Sequence, residues 1–140
     1  MFTYVRAVLL ATLGFISSTL SMLLGGFDML LQALVVFMIV DFLSGWLVAA
    51  VFKSSNKTTT GRLSSAAGLK GIVKKAASLM VVIVAVHLDV LFGTNGITRD
   101  AAIIALALNE LLSIIENMGI IGIKMPKPIL DALEVLNKKA

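Results

Sequence analysis

The chain has 140 residues, a net charge of +4 and a mean hydropathy of +1.02, with 59% apolar and 14% charged side chains. A soluble domain is about 45–50% apolar and about 25% charged, so this much apolar surface in one short chain requires lipid as its solvent. Nucleic-acid modules, disulfide scaffolds and disordered tails are excluded; with no Cys and one His (His87), so are thiol nucleophiles, thiolate metal sites and multi-His metal sites.

A membrane-crossing helix needs about 20 mostly apolar residues. The first predicted span, about 7–27, is uncharged between Arg6 and Asp28. A cleaved signal peptide competes with it, but the stretch is long for a signal region of about 7–15 residues. Gly25-Gly26-Phe27-Asp28 turns the chain into the second span, about 29–52, which carries only Asp41. A basic loop, 53–75, contains Lys53, Lys57, Arg62, Lys70, Lys74 and Lys75 and no acid. Its second half suits an interfacial helix with Leu69, Ile72 and Val73 in the lipid. The third span, about 74–92, begins at the earliest near Ile72 and contains His87 and Asp89. Gly93-Thr94-Asn95-Gly96 is a compact turn into the fourth span, about 100–122, which is interrupted by Glu110 and Glu116.

The predicted fold is an all-α integral membrane protein: a four-helix transmembrane domain over 1–125 and a cytoplasmic amphipathic tail over 126–140. The tail follows Pro126 and Pro128, with Ile129, Leu133 and Leu136 on one side and Asp131 and Glu134 elsewhere. Lys and Arg set the orientation. With the loop inside, Arg6, Lys124, Lys127, Lys138 and Lys139 are inside too, which leaves Arg99 as the one outside among the 12 basic residues. That split implies an N-in, C-in, multi-pass membrane protein. The loop also suits anionic inner-leaflet lipid.

Ionisable groups within a span usually face a bundle interior or water. Asp41 and Glu110 are predicted at similar, mid-membrane depth on antiparallel helices. Asn109, Glu110, Ser113, Glu116 and Asn117 fall on an arc of roughly 120° at 100° per residue. Two readings stand: a polar seam against neighbouring helices, paired with Lys74 or Lys75, or a face turned to water in an assembled pore. Gly14, Ser17, Ser21 and Gly25, with Gly45 and Ala49 in the second span, are candidate helix-packing positions, within one chain or between chains. His87 and Asp89 lie on different faces near the outer end; Asp89 is expected to pair with Arg99. Trp46 reads as a lipid-facing or packing residue. No P-loop, nucleophile elbow or metal-ligand set is present, so neither enzyme activity nor a cofactor is expected.

DFLSGWLVAAV in the second span, GLKGIVKK before the third, HLDVLFG, and NELLSIIENMGIIGIKMPKPILDALEVL together resemble the bacteriophage holin family, which includes toxin-secretion holins of Gram-positive bacteria. The resemblance covers about residues 40–136. It implies a protein of the bacterial cytoplasmic membrane that oligomerises and permeabilises it, so that an endolysin or a toxin reaches the wall without required direct contact. It carries over no catalytic residue. A proton-coupled transporter, an accessory subunit docked through the basic loop, and an antiholin are the alternatives. The sequence leaves oligomer number, pore size, trigger and cargo open.

Overall fold

The structure, a computed structural model, describes residues 1–55 and 57–137, and side chains as far as Val135. Lys138, Lys139 and the Leu136 side chain lie outside the described residues. The helices are α1 (Phe2–Leu23), α2 (Met29–Leu47, continued by a π-helical turn, Val48–Phe52), α3 (Ser65–Phe92), α4 (Ile97–Ile121) and α5 (Lys127–Asn137). The described residues contain no strand. Four helices, counting α2 with its π turn, are long and apolar enough to cross a membrane.

Local chemistry sets the joints. Asp28 caps α2, its carboxylate accepting the Leu31 N–H at 2.9 Å. Between α1 and α2 the backbone turns through Gly25 and Gly26, both at positive φ. A Cβ on Gly25 would stand 2.9 Å from Arg99 Nε, so close approach as well as dihedral angle demands glycine there. Lys53, at φ 50, closes the π turn.

Two elements differ from the sequence expectation. α3 starts at Ser65, well before the predicted 74. The basic segment is therefore no separate interfacial helix; its Ala, Leu and Lys residues continue one 28-residue helix, about 42 Å long. Since a hydrocarbon core is about 30 Å thick, the first two turns, which carry Lys70, project beyond it.

The second difference concerns α1. The core joins α2, α3 and α4: Leu24, Leu31, Leu34, Met38, Val82 and Ile103 pack together, with α2 and α4 in the most extensive contact. α1 stands apart, and every residue from Phe2 to Ser18 is exposed. The spans are thus arranged as a three-helix bundle with one lateral helix, not as a four-helix bundle. The physical reason is that lipid solvates apolar side chains as well as a neighbouring helix does. α1 has apolar residues enough to sit in lipid and nothing that drives it onto its own bundle.

The buried faces follow one rule. Leu31, Leu34, Met38, Asp41 and Val48 of α2, and Ile103, Glu110, Ile114 and Asn117 of α4, recur at spacings of three, four and seven residues. That periodicity is a packing seam. The half beside the α1–α2 turn is apolar; the half beside the loop after the π turn is polar.

Candidate functional site

The polar half of the seam is a charge cluster shared by three helices. Asp41 and Ser44 lie one turn apart on α2; Glu110 and Asn117 lie on the same face of α4. Lys75 of α3 reaches between them. Its Nζ donates to Asp41 Oδ2 at 2.8 Å and also to Glu110 Oε2. Asn117 Nδ2 donates to Asp41 Oδ1 at 3.1 Å and to Ser44 Oγ at 2.9 Å. Ser44 in turn donates to the Asp41 carbonyl at 3.0 Å. Asp41 and Glu110 side chains are 8% and 10% exposed, and Lys75 is 17% exposed. Lys57 approaches from the loop, its Nζ 3.9 Å from Asp41 Oδ1. Two acids and two lysines thus balance formally. Among the described residues no buried side-chain polar atom lacks a partner.

Asp41 and Glu110, predicted at one depth, do meet, through the Lys75 that the sequence offered as a seam partner. The polar stripe of α4 is divided by the packing. Glu110 and Asn117 turn inward and are buried; Ser113 is half-buried; Asn109 and Glu116 are exposed on the opposite edge. Sequence reasoning missed Ser44, although its three-residue spacing from Asp41 marks it as a neighbour on one helical face.

The helix-packing candidates divide as well. Gly45 and Ala49 lie on the seam side of α2 and its π turn; a Cβ on Gly45 would stand 3.6 Å from Asn117 Nδ2. Gly14 has nothing within 4 Å of a built Cβ, and Ser17 is exposed. Ser21 is half-buried, and Gly25 belongs to the turn that seats Arg99. Of the basic loop, Lys53, Arg62, Lys70 and Lys74 are exposed, while Lys57 and Lys75 face the cluster.

A second polar knot closes the opposite end. Arg99 is buried; it donates to Asp28 Oδ2 at 2.7 Å, Asp100 Oδ1 at 3.1 Å, the Leu24 carbonyl at 2.7 Å and the Gly26 carbonyl at 3.0 Å. This hydrogen bond from Arg99 holds the Asp28 carboxyl below the usual carboxylate range. The sequence expectation that Asp89 pairs with the Arg99 side chain is not met: the guanidinium is taken by Asp28, Asp100 and two carbonyls. Asp89 caps α4 instead, accepting the Thr98 and Arg99 N–H groups at 2.9 and 2.8 Å. His87 is exposed, its Nδ1 2.8 Å from the Ile83 carbonyl, on a different face from Asp89.

A bundle with a satisfied polar interior and a lateral helix is compatible with several membrane functions. Comparison with known proteins narrows them: residues 18–138 match the bacteriophage holin family. The chain belongs to that family. It is 36% identical over 106 residues to a probable holin of Bacillus phage phi105, covering 76% of this chain and 73% of that one. It is also 37% identical over 118 residues to an uncharacterized protein of Listeria monocytogenes, covering 84% and 79%. A 14.9 kDa protein of Clostridium perfringens is 37% identical over 117 residues, covering 82% of each. No solved structure matches. Family membership and four membrane-capable helices make this a multi-pass protein of the cytoplasmic membrane with a holin-like role. Most of α1 precedes the matched stretch.

Proposed function

We propose that this chain is a non-enzymatic holin: copies accumulate in the cytoplasmic membrane, assemble, and open a lesion through which an endolysin or a toxin passes. The observation that carries the reading is the cluster of Asp41, Lys75, Glu110, Asn117 and Ser44 inside a bundle whose outer surface is apolar. In the isolated chain those groups satisfy one another. In an assembly with a lumen, water takes over that task for Glu110, Ser113 and Asn117, while Asn109 and Glu116 of the same polar stripe lie along its other edge. Ionisable residues within spans mark such pathways. The same sequence is thus stable in lipid as single copies and able to face water when crowded, a two-state element biased by surface density.

The basic loop serves this role by holding the inner end at the membrane surface. An open pocket of about 560 Å³ between loop and α3 is lined by Lys57, Thr58, Ser64 and Lys70 among others, a surface suited to anionic lipid phosphates. The termini are proposed to lie inside, with residues 126–140 as a cytoplasmic tail. No cofactor and no direct contact with the released enzyme is required; an antiholin would act by occupying the assembly surface.

Inducible expression with and without a cytoplasmic muramidase tests the reading. The expected result is loss of viability and dye uptake with either, and lysis only with both. Harmless expression, or proton-dependent flux without leakage of large solutes, would remove it in favour of an accessory subunit or a transporter. Replacing Glu110 with Leu is expected to delay dye uptake; unchanged timing would exclude the Glu110–Asn117 edge as lumen surface.

A further inference from the structure

Two features are left without partners by the bundle: α1 on all sides along Phe2–Ser18, and the Asn109–Glu116 edge of α4. Arg6, Asn109 and Glu116 make no side-chain hydrogen bond or ion pair among the described residues. Asn109 lies in the middle of α4, where a polar amide facing hydrocarbon loses its hydrogen bonds to water, and Glu116 lies nearer the helix end.

One contact puts α1 and α4 on a common depth scale. Arg99 Nε donates to the Leu24 carbonyl at 2.7 Å, so the end of α1 and the start of α4 lie within one Arg side-chain reach of each other. Counting along each helix from that link at 1.5 Å per residue, Gly14 and Asn109 both lie about 15 Å deep, and Arg6 and Glu116 lie about 27 and 26 Å deep. The helices run in opposite directions, so both matches hold together. A lone coincidence of charge would fix one point; the amide at the level of the glycine fixes a second.

Copies related by rotation about the membrane normal keep every residue at its depth. We infer that α1 of one copy packs along the Asn109–Glu116 edge of α4 in a second copy, with Arg6 paired to Glu116 and Asn109 seated against the backbone at Gly14. Gly14 offers room, since nothing lies within 4 Å of where its Cβ would be, and Ala7, Ala11 and Ser18 share its side of the helix. Close backbone approach and polar contacts are what hold helices together in lipid. The contact joins two different patches, so it propagates from copy to copy and closes into rings. It leaves the Glu110–Asn117 edge of the same helix for the lumen. Arg6 and Gly14 precede residues 18–138, so the contact is not part of what the family match describes.

The inference rests on the assembly proposed above, and its test is separable from lysis. The native chain has no Cys. Chains carrying R6C and chains carrying E116C are co-expressed and oxidised in membranes, alongside G14C with N109C and, as a depth-mismatched control, G14C with E116C. The expected result is a dimer-sized band, sensitive to reductant, for the first two mixtures and not for the control. R6E and E116R alone are expected to weaken self-association in detergent, and the double exchange R6E/E116R to restore it. No cross-link in either matched mixture, or a cross-link only within one chain carrying both R6C and E116C, overturns the contact. Cross-linking in membranes that the native protein fails to permeabilise would keep the contact and remove the lesion.

Discussion

Replacing Lys75 with Met tests the charge cluster most sharply. Met keeps much of the length and the apolar stem of Lys, so packing along α3 changes little. What changes is the ammonium between Asp41 and Glu110, whose side chains are 8% and 10% exposed. Removing one partner of a buried ion pair costs about 3–5 kcal/mol, because the other charge is left uncompensated. Lys57, 54% exposed and 3.9 Å from Asp41, remains to offset part of this on one carboxylate only. The lower end applies, about 3 kcal/mol, or roughly two decades in the folded-to-unfolded ratio. The assay is equilibrium unfolding in mixed detergent micelles, followed by helical circular dichroism. A companion variant, D41N/K75M/E110Q, replaces the three enclosed charges by neutral polar or apolar groups of similar shape and leaves only the half-exposed Lys57. It is expected to recover more than half of the loss, since replacing a whole buried ionic group is often neutral. If K75M unfolds within about 0.5 kcal/mol of the native protein, an ordinary surface effect, the cluster does not hold the three helices together.

Arg99→Met should destabilise by about 2–4 kcal/mol in the same assay, since it removes a buried cation bound to two carboxylates and two carbonyls; a neutral outcome would contradict the knot. Gly25→Ala meets both a positive φ of 77 and the Arg99 side chain at 2.9 Å, and is expected to cost more than about 1 kcal/mol, whereas Gly14→Ala, inside a helix with open space around it, does not destabilise the single chain. Because the Asp28 carboxyl sits below its ordinary 3.8 in the folded chain, its contribution is present above that value and is lost as pH falls below it. Asp28→Asn should therefore flatten the acid side of the stability profile below about pH 3.8, and an unchanged profile would show that Arg99 does not hold that carboxylate.

The four spans were legible because charges are rare enough for the gaps between them to mark helices. Asp41 and Glu110 were legible as a pair from their matching positions in antiparallel spans, and Lys75 as a partner from its place at the inner boundary. The inward edge of α4 was legible too, had the seam been followed: Ile103, Glu110, Ile114 and Asn117 continue one series that the polar residues only recolour. Three things were not. The start of α3 was hidden because lysines and glycines over 68–75 read as loop, while helix continuation depends on the turn before them. The role of Arg99 was hidden because a guanidinium chooses among carboxylates and carbonyls that the fold, not the sequence, brings together. The separation of α1 was hidden because small-residue ladders look alike whether they pack within a chain or between chains.

The central claim is that density-dependent assembly, and not a preformed channel in one copy, opens the membrane. The direct measurement is release of protein-sized dextran from anionic liposomes reconstituted with purified protein at a series of protein-to-lipid ratios. The account predicts no release at low ratios and a steep onset above a threshold, with K75M shifting the threshold. Release that rises in proportion from the lowest ratio, or leakage confined to protons and small ions at every ratio, would contradict it.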